Sequence, residues 1–253
     1  LYVELILTTM SRDVHSQYAP VLPSAAWQMV ELLGKLRKDG IVQIPGFYED
    51  IIPATEEENA ILNAGPNVDE ALKKTYGTYP VYDKKTGYYA TLNNQPTFNI
   101  SGVFSGFTGE GGATVLPSKA TAKIDMRLVV AQSGEKILGQ LKDYIRTLGY
   151  DNVEVVCRGI TDPAKTSIHT PYLPVIQKAV NGIFGSSLIY PNRPSTAPDY
   201  LWTNILGLPT IQVRWCDFDS DNHAPNEHLS VENYLRGIAL TASALMEIGT
   251  AEL

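Results

Sequence analysis

Strand-like and helix-like stretches alternate along the first two thirds of the chain in an order that few folds accommodate. Apolar residues with period-two alternation predict strands, and apolar residues three to four positions apart predict helices. The predicted order is strand, helix, strand, strand, helix, strand, over about 1–10, Ser24 to about Lys38, Asn99–Ser105, Lys119–Val130, Glu135–Leu148 and Val153–Cys157. This is the split βαβ arrangement, which predicts a two-layer, ferredoxin-like α+β domain that ends near residue 165.

The first predicted helix has recognisable end signals. Ser24 is a typical N-cap residue, and Gly40 is a typical residue at which a helix stops. The apolar residues at helical spacing, which predict its buried face, are Trp27, Val30, Leu33 and Leu36.

Residues 41–98 interrupt this domain with a long irregular insertion that is rich in Tyr, Pro and Gly. Thr55 and Glu58 have the spacing of a capping box, which predicts one short acidic helix inside the insertion. Glu56, Glu57 and Glu58 are predicted to form its solvated first turn, where carboxylates interact favourably with the helix dipole.

A second, shorter unit follows the first domain. Its predicted elements are a helix over Pro174–Phe184, a strand over Ser187–Tyr190, a helix over Pro198–Leu206, a strand over 209–215 and a helix after Ser230. This order is half of an α/β layer fold and is too short to close a sheet and a core of its own. We therefore expect an α/β protein with domains at 1–165 and 166–253, the second of them incomplete.

Composition excludes several classes of function. The chain of 253 residues has a net charge of -7 and no basic block, which argues against nucleic acid and anionic membrane surfaces as partners. No apolar run approaches the roughly 20 residues of a membrane span, and no basic n-region of a signal peptide is present. Two cysteines suit a reducing compartment and predict a cytoplasmic location. Because the sequence begins at Leu1 inside a strand-like run, we expect a truncated chain.

The polar stretch 219–229 is the strongest candidate for a functional loop. It follows the apolar run 209–215 and precedes the helix cap Ser230, so rigid elements are predicted on both sides of His223. A metal or catalytic site needs such support, although an ordinary surface histidine would also fit this pattern.

Several stretches occur in the order found in one family of enzymes. They are Arg12–Ser16, Val42–Tyr48, Pro96–Ile100, Gly106–Gly111, Thr114–Pro117, Asp125–Leu128 and His223–Glu227. Together they resemble the zinc-dependent metallopeptidases that include aminoacylase, carnosine dipeptidase, acetylornithine deacetylase and succinyl-diaminopimelate desuccinylase. The resemblance implies a two-zinc catalytic domain, with manganese or cobalt as other possible metals, into which a lid or dimerisation domain is inserted. Residues 1–165 would be the lid, with 41–98 as an insertion, and 166–253 the C-terminal portion of the catalytic domain.

One part of the family pattern does not occur in this sequence. Such enzymes carry an N-terminal portion with a His-x-Asp pair, a bridging Asp and a Glu-Glu pair, which supply most metal ligands and the general base. Nothing of this kind precedes the predicted lid. The resemblance therefore implies a hydrolase of amide bonds in dipeptides or N-acyl amino acids, of which this chain is an inactive portion. The alternative is a non-catalytic dimerisation or interaction module derived from such an enzyme.

The resemblance also assigns roles to residues. It implies that His223 is the terminal ligand of one zinc ion, and that His15 reaches the neighbouring subunit's site to polarise the scissile carbonyl. A histidine hydrogen-bonded locally by Asp13 is the alternative for His15. Arg127 matches a substrate-binding arginine, whose guanidinium suits a carboxylate, and would complete that site together with His15. A strand arginine paired with Asp125 or Glu110 is the alternative for Arg127.

Two threonines complete the expected site. Thr114 matches a lid position that hydrogen-bonds substrate, although it could simply start a strand. Thr196 lies in Pro194–Pro198, where many relatives have Gly-Gly-Ser as a backbone cradle for the substrate's terminal carboxylate. Without those glycines the backbone approaches a ligand less easily, so exopeptidase specificity stays open. The lid further implies a homodimer, with its edge strand and the helix Ser24–Lys38 as the shared surface.

Overall fold

The computed structural model describes residues 1–252. Their Cα positions group into two compact units. Unit 1 contains Leu1–Pro53, Gln95–Pro163 and Ser195–Pro198, and unit 2 contains Ala54–Asn94, Ala164–Pro194 and the C-terminal stretch from Asp199. The chain therefore contributes more than one segment to each unit.

The regular elements alternate along the whole chain. The strands are β1 (Tyr2–Thr8), β2 (Val14–His15), β3 (Arg37–Lys38), β4 (Ile41–Val42), β5 (Asn99–Ser105), β6 (Val115–Leu116), β7 (Lys119–Asp125) and β8 (Val153–Gly159). The α-helices are α1 (Ala25–Leu36), α2 (Glu56–Asn63), α3 (Asp69–Tyr76), α4 (Tyr88–Asn94), α5 (Gly134–Thr147), α6 (Tyr172–Phe184) and α7 (Val231–Thr250). Among the described residues, no helix is long and apolar enough to cross a membrane.

The ferredoxin-like prediction is confirmed in unit 1. Its four long strands form one antiparallel sheet in the order β5-β7-β1-β8, with β7 and β1 at the centre. Helix α1 connects β1 to β5, and α5 connects β7 to β8, so the long elements follow the order strand, helix, strand, strand, helix, strand.

The core of unit 1 lies between one face of this sheet and the two helices. Alternate side chains of β1 and β7 are buried, as period-two alternation requires. The buried cluster includes Val3, Leu5, Leu7, Ala120, Ala122 and Ile124 from the strands, and Met29, Leu32, Leu36, Ile137, Leu141 and Ile145 from the helices. Burying one such leucine or isoleucine stabilises the fold by about 1.5–3 kcal/mol.

The predicted buried face of α1 is confirmed at Leu36, and Leu33 packs half-buried against the core, but the prediction is wrong at Trp27 and Val30. The residues that the helix buries are Ala25, Met29, Leu32 and Leu36, whereas Trp27 is 69% exposed and Val30 is 54% exposed. The helix carries two apolar series at helical spacing, and packing selects the one that faces the sheet. The predicted cap is confirmed, since the Ser24 Oγ accepts a hydrogen bond from the Trp27 N–H.

The segment predicted as one irregular insertion contains three helices, α2 to α4, and its residues from Ala54 onward belong to unit 2. The capping box is confirmed: Thr55 N–H donates to Glu58 Oε2 at 3.0 Å, and Glu58 N–H donates to Thr55 Oγ1 at 3.2 Å. Glu58 is nevertheless not solvated. Its side chain is 5% exposed and pairs with Lys165 at an Oε1–Nζ distance of 2.5 Å, so the predicted solvated turn is wrong at this residue.

Unit 2 is helical. Helices α6 and α7 confirm two of its predicted elements, and a five-residue π-helix at Leu201–Ile205 replaces the predicted helix at Pro198–Leu206. The predicted strands at Ser187–Tyr190 and 209–215 are not present. A strand needs a neighbour for its backbone groups, and in this stretch the Thr210 N–H donates to the Thr166 side chain at 2.8 Å instead. The division into a lid and part of a catalytic domain stays a prediction.

Candidate substrate and metal-binding residues

Two predicted substrate-contacting residues, His15 and Thr114, are neighbours in unit 1. The short strand β2 pairs with β6, which sets His15 opposite Val115. The Ser16 N–H donates to the Thr114 carbonyl at 2.9 Å, and the His15 Nε2 lies 3.4 Å from Thr114 Oγ1. The pair is exposed, so a ligand can reach both side chains.

A backbone contact fixes which nitrogen of His15 carries the proton in the neutral ring. The Gln17 N–H donates to His15 Nδ1 at 3.0 Å, so Nδ1 acts as the acceptor. A neutral imidazole has one donor and one acceptor, so the hydrogen-bond network assigns the proton to Nε2. His15 therefore offers an N–H donor on the same side as the Thr114 hydroxyl.

Asp13 orders the backbone that carries His15. Its Oδ1 accepts hydrogen bonds from the Ser118 N–H at 2.8 Å and the Ser118 hydroxyl at 2.6 Å. These two bonds lower the pKa of the Asp13 carboxyl, which keeps it ionised. Asp13 thus ties the start of β2 to the residue that precedes β7, and its hydrogen bonds go to Ser118 rather than to the imidazole.

Two other predicted substrate-binding residues, Arg127 and Thr196, also form a pair in unit 1. Arg127 Nη1 donates to Thr196 Oγ1 at 2.7 Å. The Arg127 backbone is held on both sides by Thr97, through Arg127 N–H to Thr97 Oγ1 at 3.0 Å and Thr97 N–H to the Arg127 carbonyl at 2.9 Å. Asp125, an alternative partner for the guanidinium, instead accepts from the Asn99 amide at 2.8 Å. A planar guanidinium beside a hydroxyl is suited to a carboxylate.

The two pairs lie toward opposite ends of β7. Thr114 precedes the strand by five residues, and Arg127 follows its last residue by two. The seven residues of β7 span about 20 Å at roughly 3.3 Å per residue, whereas an extended dipeptide spans about 7 Å. This spacing favours a small substrate that contacts only one of the two pairs in a given chain.

His223, the predicted metal ligand, lies in a loop of unit 2. The side chain is exposed, the backbone has a φ of 64°, and the His223 N–H donates to Glu227 Oε2 at 3.4 Å. Residues 1–252 contain no group of three or more His, Cys, Asp or Glu side chains arranged to hold a metal ion. An exposed imidazole suits zinc as one ligand, but a zinc site needs three or four protein ligands.

Two anchoring interactions gave no signal in the sequence. Glu58 and Lys165 are more than a hundred positions apart, so no local pattern connects them. Asp217 holds the first turn of α7 through Ser230 and Asn233, although the sequence marked only Ser230 as a cap. Because Asp217 lies 13 residues before the cap, no local pattern indicated this contact.

Comparison with known proteins finds one matching family model and several similar proteins. The model of the peptidase dimerisation domain of the M20 family matches residues 2–153. Human beta-Ala-His dipeptidase is 25% identical over 247 residues, which cover 94% of this chain and 48% of that protein. The Cys-Gly metallodipeptidase of Saccharomyces cerevisiae is 25% identical over 263 residues, covering 96% of this chain and 53% of that protein. The chain spans about half the length of the curated relatives it matches.

Solved structures give a similar result. An M20 family metallo-carboxypeptidase from Sulfolobus solfataricus is 30% identical with a TM-score of 0.89, covering 96% of this chain and 57% of that one. Human carnosine dipeptidase 1 shares the fold, with a TM-score of 0.85 at 23% identity, covering 99% of this chain and 55% of that one. With a dimerisation domain that extends over more than half its length, the chain belongs to the M20 family of metallopeptidases.

Proposed function

We propose that this chain is the lid and the C-terminal catalytic portion of a metal-dependent enzyme that hydrolyses amide bonds in dipeptides or N-acyl amino acids. The observation that carries the proposal is the formation of two exposed pairs, His15 with Thr114 and Arg127 with Thr196, from residues far apart in sequence. The named dipeptidase and carboxypeptidase relatives support this class of substrate. Two free cysteines, both exposed, support a reducing compartment such as the cytoplasm.

Each pair has a distinct chemical role in this proposal. Arg127 binds the substrate carboxylate through its guanidinium, and the Thr196 hydroxyl adds a hydrogen bond. His15 donates from Nε2 to the oxygen of the scissile carbonyl, where negative charge develops in the transition state. Thr114 orients the imidazole and can itself donate to substrate. A donor of this kind typically contributes about 3–4 kcal/mol of transition-state stabilisation.

The distance between the pairs favours a site shared by two subunits. Because the two pairs lie toward opposite ends of β7, His15 and Thr114 of one subunit would act with Arg127 and Thr196 of its partner. This proposal replaces the expectation that His15 and Arg127 act from the same subunit. The homodimer would use the exposed face of α1, with Trp27 and Val30, and the edge strand β5.

His223 would hold the metal in this proposal. Zinc, or manganese or cobalt in its place, would supply Lewis-acid polarisation of the reacting water and carbonyl. Within the described residues, His223 is one donor without a surrounding cluster, so we propose that this chain alone does not hydrolyse peptides. That same observation favours the second candidate, a non-catalytic dimerisation or interaction module.

Metal content and subunit mixing test the proposal. Elemental analysis of the 253-residue chain, purified without chelators, is expected to give close to zero metal per chain and no hydrolysis of a dipeptide panel. Two bound metal ions together with hydrolysis would contradict the proposal that this chain is inactive by itself.

In the longest form that the gene encodes, His15→Ala and Arg127→Gln are each expected to reduce kcat/KM by about 100-fold or more. Mixing the two inactive variants should restore about a quarter of the activity, because one of the two sites in a mixed dimer is intact.

Lack of restored activity in verified mixed dimers would contradict the shared site. Lack of any hydrolysis by the longest form, with its dimer intact, would favour the interaction module over the enzyme.

A further inference from the structure

The loop that carries His223 adopts an unusual backbone conformation. Asp221, His223 and Asn226 have φ values of 51°, 64° and 67°, in the left-handed region that residues other than glycine rarely occupy. Such conformations persist only where the surrounding structure imposes them, and they concentrate at functional sites. Asp, His and Asn enter this region more readily than other side chains, so the contacts of the loop decide how firmly it is held.

The carboxylate of Asp217 closes the loop at its base. Asp217 Oδ2 accepts from the Ser230 N–H at 2.7 Å, and Oδ1 accepts from the Ser230 hydroxyl at 3.0 Å and from the Asn233 amide at 2.6 Å. These bonds connect positions 13 and 16 residues apart and fix the start of the loop to the first turn of α7. The backbone bond from Ser230, followed by the two side-chain bonds, lowers the pKa of Asp217, so the group is a carboxylate.

Other hydrogen bonds lie inside the loop. The His228 N–H donates to the Ser220 carbonyl at 3.0 Å, and the Ala224 N–H donates to the Asp221 carbonyl at 2.8 Å. These bonds shape the turn but lie wholly within it. The bonds of Asp217, by contrast, connect the loop to a regular element, a helix of 20 residues.

We propose that Asp217 is a positioning residue for His223. By closing the loop on α7, it limits the positions that the His223 imidazole can occupy, without touching the imidazole itself. Fixing the loop ends lowers the entropy that the ring loses when it binds a metal ion. The inference rests on the proposed role of His223 as a metal ligand, but the closure of the loop can be measured separately.

Amide hydrogen exchange on the 253-residue chain tests the closure directly. In Asp217→Ala, amides of residues 220–229 are expected to exchange at least about 10-fold faster, while amides in the middle of α7 keep their rates. Asp219→Ala is the matched control, because the Asp219 side chain is 76% exposed and lies 3.8 Å from His228 without holding α7. Unchanged loop exchange in Asp217→Ala would overturn the proposal.

A second variant separates loop closure from helix capping. Ser230→Ala removes the hydroxyl that caps α7, and with it one of the three bonds to Asp217, but leaves the bonds that the Ser230 N–H and the Asn233 amide donate to Asp217. It should therefore affect loop exchange by less than about a third of the Asp217→Ala effect. Equal effects would mean that Asp217 only supports the helix end, and would overturn the positioning role.

Zinc titration of the longest form of the protein tests whether closure of the loop by Asp217 strengthens zinc binding by His223. Asp217→Ala is expected to weaken zinc binding about 10-fold, and Asp217→Glu, which keeps the carboxylate, to recover part of that loss. Unchanged zinc affinity in Asp217→Ala would overturn the positioning role even if the loop exchanges faster. If His223→Ala itself leaves zinc affinity unchanged, the proposed metal role of His223 fails, whereas the exchange result still decides whether Asp217 closes the loop.

Discussion

Unit 1 and unit 2 stabilise their elements in different ways. In unit 1, a sheet and two helices enclose a cluster of twenty buried residues, and both central strands contribute alternate side chains to it. In unit 2, the described residues bury only five apolar side chains, which are Leu62, Ala90, Ile176, Ala179 and Leu240. Helix α7 meanwhile exposes Val231, Tyr234, Leu235, Ile238, Leu245 and Met246.

The difference indicates which kind of interaction contributes most to the stability of each unit. Burial of apolar area between layers stabilises unit 1. Unit 2 relies more on specific polar contacts, such as the Glu58–Lys165 ion pair and the Asp217 closure of the loop before α7. Mutations should therefore act through cavities in unit 1 and through broken polar pairs in unit 2.

The largest effect is expected from Leu5→Ala in β1. Leu5 is fully buried, and removing its side chain leaves a cavity among the sheet and helix residues, so the free energy of unfolding of unit 1 should fall by about 3 kcal/mol. The matched change in unit 2, Leu235→Ala, removes a side chain that is 58% exposed and should cost under about 0.5 kcal/mol. Native-state hydrogen exchange measures both units in one sample, and a cost above about 2 kcal/mol for Leu235→Ala would show that α7 is covered in solution.

An intermediate effect is expected from Glu58→Gln in unit 2. The change leaves the Lys165 ammonium without its carboxylate, and Lys165 is only 20% exposed at its side chain. Breaking a fully buried pair costs about 3–5 kcal/mol, so this partly buried one should cost about 2 kcal/mol. Glu57→Gln is the control, because Glu57 is 60% exposed and pairs with an exposed His169. Equal stability of the two variants, measured by urea unfolding, would contradict the difference between the units.

The same pair predicts how unit 2 responds to acid. Burial raises the pKa of Glu58, but the hydrogen bonds from Lys165 and Thr55 outweigh it, and the net pKa is lowered. A lowered folded pKa means that the contribution to stability is present above the unfolded value of about 4.3 and is lost as pH falls through the folded value. Unfolding followed from about pH 6 down to about pH 3 should show a loss in unit 2 that disappears in Glu58→Gln. A loss of the same size in that variant would assign it to other carboxylates.

The smallest effects should not differ between the units. Ser24→Ala in unit 1 and Thr55→Ala in unit 2 each remove one side-chain acceptor at a helix N-terminus. Each should cost about 1 kcal/mol, because capping satisfies backbone groups of the helix itself and does not depend on the surrounding core. Circular dichroism during thermal unfolding checks this, and a Thr55→Ala cost several times the Ser24→Ala cost would indicate that the cap also positions Glu58 for Lys165.

Local signals predicted the parts of the fold that depend on local physics. The caps Ser24, Thr55 and Ser230 and the order of the long elements follow from patterns a few residues long, and the structure confirms them. The buried face of α1 could be predicted only in part, because its sequence contains two apolar series and only the packed sheet selects one.

Features that depend on residues far apart in sequence were either missed or expected only from the family resemblance. The stretch 209–215, expected as a strand, has no strand beside it among the described residues, and burial of Glu58 depends on Lys165. The four residues of the pairs His15–Thr114 and Arg127–Thr196 were each expected from the family resemblance. Their pairing was not, because residues 99 and 69 positions apart carry no shared local signal.

The division of the chain between the units has a consequence for protein synthesis. Helices α2 to α4 are synthesised before residues 95–163, yet the rest of unit 2, including α6 and α7, follows that stretch. At about 5–20 residues per second, the first part of unit 2 waits roughly 3–14 s for the second. The residues made in that interval include β5, β7 and β8, the strands that complete the sheet of unit 1. The growing chain thus assembles its sheet domain while the helical unit is unfinished, and a holding chaperone would find its targets among residues 54–94.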